Sequence, residues 1–283
     1  MTRKLNVVLL ILLLVIGAPF TWLLLNASTR GTQAKPVTIA QLRQLAESMP
    51  GPAPTQVRYE AVGDRHVMSD LLAAGSGLRP VPFMIRAYEL VGADGTLATI
   101  DRGLNRELAE RRRLSHYDPM AQRMVERALA AAPVQLSLGT DAHHSGMAAA
   151  APQLGSGLAG PAERSPAQPY PVAHGIVVIP VSSIAPGQRM VYARLGNGRE
   201  VLFTGDVAPI NAAWEDERPP ARIVTGLFVD HDREEIGSWL RTISALRGAA
   251  PGLHIVTGHD QQVPRLLVQG FIERPAQRRR RRR

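Results

Sequence analysis

The chain has 283 residues, 45% hydrophobic but only 5% aromatic, and a formal net charge of +9, of which the run Arg278 to Arg283 supplies six and leaves +3 for the rest. It has no cysteine, which excludes disulfides, thiolate metal sites, iron–sulfur clusters and a Cys nucleophile, so any metal site must use His, Asp or Glu. The basic balance belongs to the tail and gives no ground for a nucleic-acid partner.

Leu5 to Leu25 reads LNVVLLILLLVIGAPFTWLLL without a charge, about long enough to cross a bilayer as a helix. Arg3 and Lys4 precede it and favour a cytoplasmic N-terminus, while Trp22 stands near the far end, where interfacial aromatics gather. Residues 1–25 therefore read as an uncleaved membrane anchor, with a cleaved signal peptide as the competing reading. On the first reading the protein is a single-pass membrane protein whose domain lies on the outer, periplasmic or extracellular, side; on the second it is secreted.

Residues 26–55 read as a linker with a short helix. Asn26 to Pro36 is polar, Thr38 suits an N-cap for a helix from Ile39 to Met49, and PGPAP stops it. From residue 56 to 272 the pattern is that of one domain. Strand patterns cover Phe83 to Val91 and Leu97 to Ile100, joined by the turn Gly92 to Gly95. A helix face recurs over Met120 to Ala131, and a short apolar strand follows at Val134 to Leu138. Met147 to Val172, rich in Ala, Gly and Pro, reads as a long loop. Strands then cover Ile176 to Val181, Met190 to Leu195 and Val201 to Phe203, the last two joined by an Asn197-Gly198 hairpin turn. Asp230-His231-Asp232 precedes a helix whose acidic first turn starts at Glu234 and whose apolar face runs from Ile236 to Leu246. Leu253 to Thr257 is the last strand pattern, and residues 273–283 read as a disordered arginine-rich tail.

Three short segments carry chemistry, each just after an expected strand: Leu138 to Gly146, with Asp141, His143 and His144; Phe203 to Val207, with Asp206; and Ile255 to Asp260, with His259. Singly, each is the kind of stretch that usually makes a turn. Together, imidazoles and carboxylates at strand ends can converge on one divalent cation, which lowers the pKa of a water toward neutrality.

In this order the segments resemble the metallo-β-lactamase superfamily, from about Val57 to Gly270. Ile100-Asp101-Arg102-Gly103 matches a strand ending in Ile-Asp-x-Gly, and Gly139 to Gly146 falls on His-x-His-x-Asp-His-x-Gly. Ile184-Ala185-Pro186-Gly187 falls on His-Thr-Pro-Gly, and Thr204-Gly205-Asp206 and Gly258-His259-Asp260 match the last two signatures. The resemblance implies an αββα sandwich, two mixed sheets with helices on both outer sides, and a metal-dependent hydrolase acting on a small-molecule ester, lactone, amide or phosphoester. With Gly146 in register, the family's first, second and fourth His fall on Gly139, Asp141 and Ile184, so one of its two metal positions is lost. The other falls on His143, His144, Asp206 and His259, a set for one Zn²⁺, with Fe²⁺ or Mn²⁺ as further candidates. Asp141 and Asp206 are then the candidate catalytic carboxylates, and Asp101 is expected to hold the loop beside the site. The other role open to Asp141 is to cap the following helical turn. The lost ligands also leave open a second reading, a non-catalytic ligand-binding or scaffold module of the same fold.

Overall fold

Alternation of apolar residues along the strands dictates two sheets with two buried faces each, and the computed structural model, which describes residues 3–29, 31–93, 95–146 and 168–271, has that arrangement. The first sheet contains β1 (Gln56–Met68), β2 (Pro80–Gly92), β3 (Gly95–Ile100), β4 (His116–Tyr117), β5 (Val134–Leu136) and β11 (Val268–Gln269), in the order β11-β1-β2-β3-β5 with β4 on β1. The second contains β6 (Tyr170–Ala173), β7 (Ile176–Pro180), β8 (Arg189–Arg194), β9 (Glu200–Gly205) and β10 (Leu253–Thr257), in the order β10-β9-β8-β7-β6.

Successive side chains on a strand point to opposite faces, and here the two faces meet different partners. Ile176 and Val178 of β7, with Val191, Val201, Phe203 and Val256, face Tyr88, Leu90, Ile100 and Leu136 of the first sheet and form the inner core. Val177 and Ile179 point the other way, against Leu42 and Ala46 of helix Ile39–Glu47 and Ile236, Leu240, Ile243 and Leu246 of helix Arg233–Ala249. The outer face of the first sheet, with Val62 and Ala87, is covered by Ala121, Val125 and Ala128 of helix Pro119–Ala131. The layers are thus helix, sheet, sheet, helix, as the sequence reading expects. Arg43 clamps the outer helix to β9 through two hydrogen bonds to the Glu200 carboxylate, both 2.7 Å.

The helix starts follow their caps. Thr38 Oγ1 accepts from the Gln41 amide, Asp118 Oδ1 from Met120 and Ala121, and Asp232 Oδ1 from Glu234 and Glu235. One expectation is corrected: the end of the 147–172 stretch is not loop but strand β6, paired antiparallel with β7. Residues 147–167 of that stretch, Asp94 of the β2–β3 turn and the tail from residue 272 lie outside the described residues.

Arg3–Leu25 forms one apolar helix of 23 residues, none of its apolar window buried. At about 1.5 Å per residue it spans about 35 Å, enough to cross a hydrocarbon core of about 30 Å. The segment after it is bound to the domain at several points. Arg233, itself 7% exposed, donates to the carbonyls of Asn26 and Ser28, and Lys35 pairs with Glu235 at 2.6 Å.

Candidate metal centre

Parallel pairing brings the strand ends that matter to one edge. β3 and β5 run parallel, as do β9 and β10, so the loops leaving their C-terminal ends emerge side by side. Asp101 follows β3 with φ +65, and Asp206 follows β9 after Gly205 with φ +53. His259 follows β10 after Gly258. After β5 the chain makes the helical turn Ala142–Ser145, which presents His143 and His144 and ends at Gly146 in the left-handed region, φ +66. The β9 and β10 ends approach so closely that a Cβ on Gly258 would lie 2.6 Å from the Gly205 carbonyl oxygen.

The four residues His143, His144, Asp206 and His259 come together, with one potential ligand atom of each lying within 4.8 Å of all the others. Their centre is the Asp206 carboxylate. His143 Nε2 lies 3.1 and 3.3 Å from its two oxygens, His259 Nε2 lies 2.8 Å from Oδ1, and His144 Nε2 lies 3.3 Å from Oδ2. That last contact is out of line for a hydrogen bond, which leaves His144 Nε2 a buried nitrogen with no hydrogen-bond partner.

The far side of each buried ring is fixed. His259 Nδ1 is 2.8 Å from the Met84 carbonyl oxygen, which can only accept, so Nδ1 carries a hydrogen. His144 Nδ1 is 2.8 Å from Asp101 Oδ2, whose other oxygen accepts from the Leu138 amide at 2.8 Å. The imidazoles therefore turn their Nε2 atoms inward. Burial, with the neighbouring imidazoles, pushes the His259 pKa down from 6.5 to about 4, so the ring is neutral at pH 7. Its Nε2 faces Asp206 Oδ1 at 2.8 Å, a contact that a proton or a metal cation between the two atoms makes favourable. Burial works against charge on His144, but Asp101 and Asp206 together hold its pKa well above the usual imidazole value. Burial likewise opposes ionisation of Asp206, yet His143 and His144 hold its carboxyl well below the usual range. Three inward nitrogens, one of them the orphaned Nε2 of His144, and one carboxylate fit a divalent metal, and the donor set suits Zn²⁺.

Asp141 does not join this set. Its side chain makes no capping hydrogen bond, although the residue occupies the N-cap position, and its Oδ2 lies 3.5 Å from Gln188 Nε2. The structure also shows what occupies the space beside Gly139. A Cβ there would meet Gln188 Nε2 at 2.9 Å and Oε1 at 3.0 Å; Gln188 is 2% exposed, and its Oε1 has no hydrogen-bond partner. Ile184 packs in the outer core at 5% exposure. Of the positions that the resemblance assigns to the other metal, Gly139 faces the Gln188 amide and Ile184 is aliphatic, and only Asp141 retains a side chain able to ligate.

Phe83, Arg65 and Gln188 escape a reading of motifs. Phe83 stacks on His259 with ring centroids 3.6 Å apart, and Arg65, its cross-strand partner on β1, places Cζ 5.0 Å from the Phe83 centroid. Met84 acts through its carbonyl, which no side-chain pattern can reveal. Gln188 stands directly after Ile184 to Gly187, the one place where position alone marks it. His174 bonds the Met49 carbonyl at 2.7 Å in the β6–β7 turn and takes no part in the cluster.

No family model matches the sequence, and no curated protein matches it either. Solved structures do. A quorum-quenching N-acyl homoserine lactone lactonase aligns with a TM-score of 0.55 at 14% identity, over 74% of this chain and 93% of its own. An N-acyl homoserine lactone hydrolase, solved with N-hexanoyl-L-homoserine at its catalytic metal centre, aligns with a TM-score of 0.55 at 13% identity, over 74% of this chain and 94% of its own. A protein described as a probable metal-dependent hydrolase from Staphylococcus aureus aligns with a TM-score of 0.51 at 12% identity, over 75% and 91%. At such identities the likeness is one of fold, and together with the two-sheet topology it shows that this chain has the fold of the metallo-β-lactamase superfamily.

Proposed function

We propose that this protein is a membrane-anchored, exported metal-dependent hydrolase that holds one divalent ion, Zn²⁺ in the first instance, on His143, His144, Asp206 and His259. The observation that carries the reading is the set of inward Nε2 atoms around a carboxylate, two of them on rings whose Nδ1 atoms are already committed. Bound there, the ion supplies Lewis-acid polarisation of a carbonyl or phosphoryl oxygen and lowers the pKa of a water. The residues do the rest. Asp101 and the Met84 carbonyl hold two imidazoles in the tautomer that leaves Nε2 free. Asp206 supplies the negative charge that balances the ion. Asp141, one residue before the turn that carries His143 and His144 and free of a capping duty, serves as the base that orients and deprotonates the water. Arg65 presents a guanidinium at the rim beside Phe83, where charge develops on the substrate.

The substrate is a small molecule with an ester, lactone, amide or phosphoester bond. Lactones come first because two of the aligned structures belong to lactone-opening enzymes. The test is hydrolysis of one representative of each bond type by the full chain in detergent, before and after chelation. Chelator-sensitive turnover that Zn²⁺ restores and Asp141→Asn lowers supports the reading.

A second reading has its own observation. Gln188 fills the space beside Gly139, Ile184 is buried, and four protein ligands close a tetrahedral shell, leaving no open position for water. Such a site is structural, and the domain is then a ligand-binding or scaffold module. Full metal content without turnover of any representative bond favours this reading over the first.

A further inference from the structure

Leu227 and Phe228 are the most exposed large hydrophobic side chains among the described residues, at 76% and 72%. Scattered exposed apolar residues are ordinary; these are adjacent in sequence and close a short helical segment whose first residue, Arg222, contacts the apolar helix. They end the wide helical turn Val224–Phe228, which starts where the Val224 amide donates to the Ala221 carbonyl. Just before that turn, the Arg222 guanidinium lies over the Trp22 ring, 4.3 Å from its centroid. Leu227 is five residues further on, about 8 Å of helical rise.

The helix leaves the domain at a fixed place. Arg233 Nη1 donates to the Ser28 carbonyl at 2.9 Å and Nη2 to the Asn26 carbonyl at 2.5 Å. Arg218 holds the carbonyls of Ala74 and Gly75, and a Cβ on Gly75 would lie 2.9 Å from the Leu25 carbonyl oxygen. Thr29, 5% exposed, packs against Gly237. The residues that follow the span are thus part of the folded domain.

We propose that the Val224–Phe228 turn is a second membrane contact, in which Leu227 and Phe228 enter the outer leaflet beside the helix and seat the domain on the bilayer. The proposal rests on the membrane-anchor reading. Lipid is the occupant because the segment that carries the two side chains begins at Arg222, which stacks on Trp22 of an apolar helix that itself needs lipid. Trp22, near the outer end of the span, belongs at headgroup level, and Arg222, stacked on it, is brought to the same level, where a guanidinium meets lipid phosphate. An apolar pair at that level sinks about 5–10 Å into the headgroup and acyl boundary.

Because the chain has no cysteine, single-cysteine variants of the full chain can carry an environment-sensitive fluorophore. Leu227→Cys and Phe228→Cys test the turn, Val15→Cys tests the span, and Asn197→Cys marks an exposed hairpin elsewhere. Each is reconstituted into phosphatidylcholine–phosphatidylglycerol vesicles with a quencher in the upper acyl chain. The proposal expects fluorescence at 227 and 228 to fall roughly twofold or more, the label depth being about 5–10 Å, with 197 unchanged. Quenching at 15 but not at 227 or 228 overturns the docking while leaving the anchor standing. No quenching at 15, 227 or 228 overturns both. A blue shift at 227 and 228 without lipid quenching assigns the patch to another protein or a second copy, and also overturns it.

Discussion

Asp101 holds His144 in the tautomer that a metal ligand needs, and a one-atom change tests this. In Asp101→Asn the left-handed backbone is tolerated, and Oδ1 still accepts from Leu138. The amide NH₂, however, now faces His144 Nδ1, and the ring must turn its lone pair outward and its proton inward. Metal affinity should fall by about 10–100-fold, and the metal-free protein should also lose the stability that the Asp101 charge gives a protonated His144; equal affinity would remove Asp101 from this role. The metal-free protein should also show a stability maximum near pH 6.5. Above that value the folded state keeps the His144 proton that the unfolded chain loses, so stability falls as pH rises. Below it the unfolded chain protonates His259 while the folded state resists until about pH 4, so stability falls as pH drops. Denaturant midpoints measured across pH 5 to 8 after chelation check both limbs, and a monotonic profile would refute the assignment of charge within the cluster.

The strand ends matter as much as the ligands they carry. Gly258→Ala removes no ligand, but the added Cβ would lie 2.6 Å from the Gly205 carbonyl and must pry β9 and β10 apart where Asp206 and His259 leave them. We expect a loss of roughly 1–3 kcal/mol, as for other overpacked sites, together with reduced metal content; wild-type metal content in this variant would contradict the account. At this scale most of the fold was legible. Helix Ile39–Glu47 announced itself through Thr38 and the spacing of Ile39, Leu42 and Ala46, and β7 through an apolar run whose two faces are both buried. That His143, His144, Asp206 and His259 lie together was readable because motif order survives where spacing alone is weak. β6 was hidden because Tyr170 and Pro171 follow a run of Ala, Gly and Pro, and its pairing with β7 is a tertiary fact. Gln188 was hidden because an amide in a loop carries no signal until the residue it displaces, the imidazole absent at Gly139, is seen in space.

For the molecule as a whole, the division between anchor and domain is the exposed question. Arg3–Leu25 meets the length and apolarity of a span, whereas Asn26 to Thr29 contacts the domain through Arg233 and Gly237. A soluble form beginning at Asn26 should therefore be more stable than one beginning at Ala34, which leaves the buried part of Arg233 without two carbonyl partners. The difference should be about 1–3 kcal/mol, or several degrees in melting temperature; identical melting would show that the segment adds nothing. The same comparison bears on the lost half of the site. Converting Gly139, Asp141 and Ile184 to His should raise metal content toward about two only if Gln188 is shortened as well, because its amide already fills that space.

Elemental analysis of the purified protein and of His259→Ala tests the central claim most directly. One tightly held divalent ion per chain is expected in the wild type. Its loss is expected in His259→Ala, where a bond to the ion gives way to water and affinity drops by orders of magnitude. No metal in the wild type, two ions per chain, or unchanged content in His259→Ala would contradict the assignment of His143, His144, Asp206 and His259 as a single metal centre.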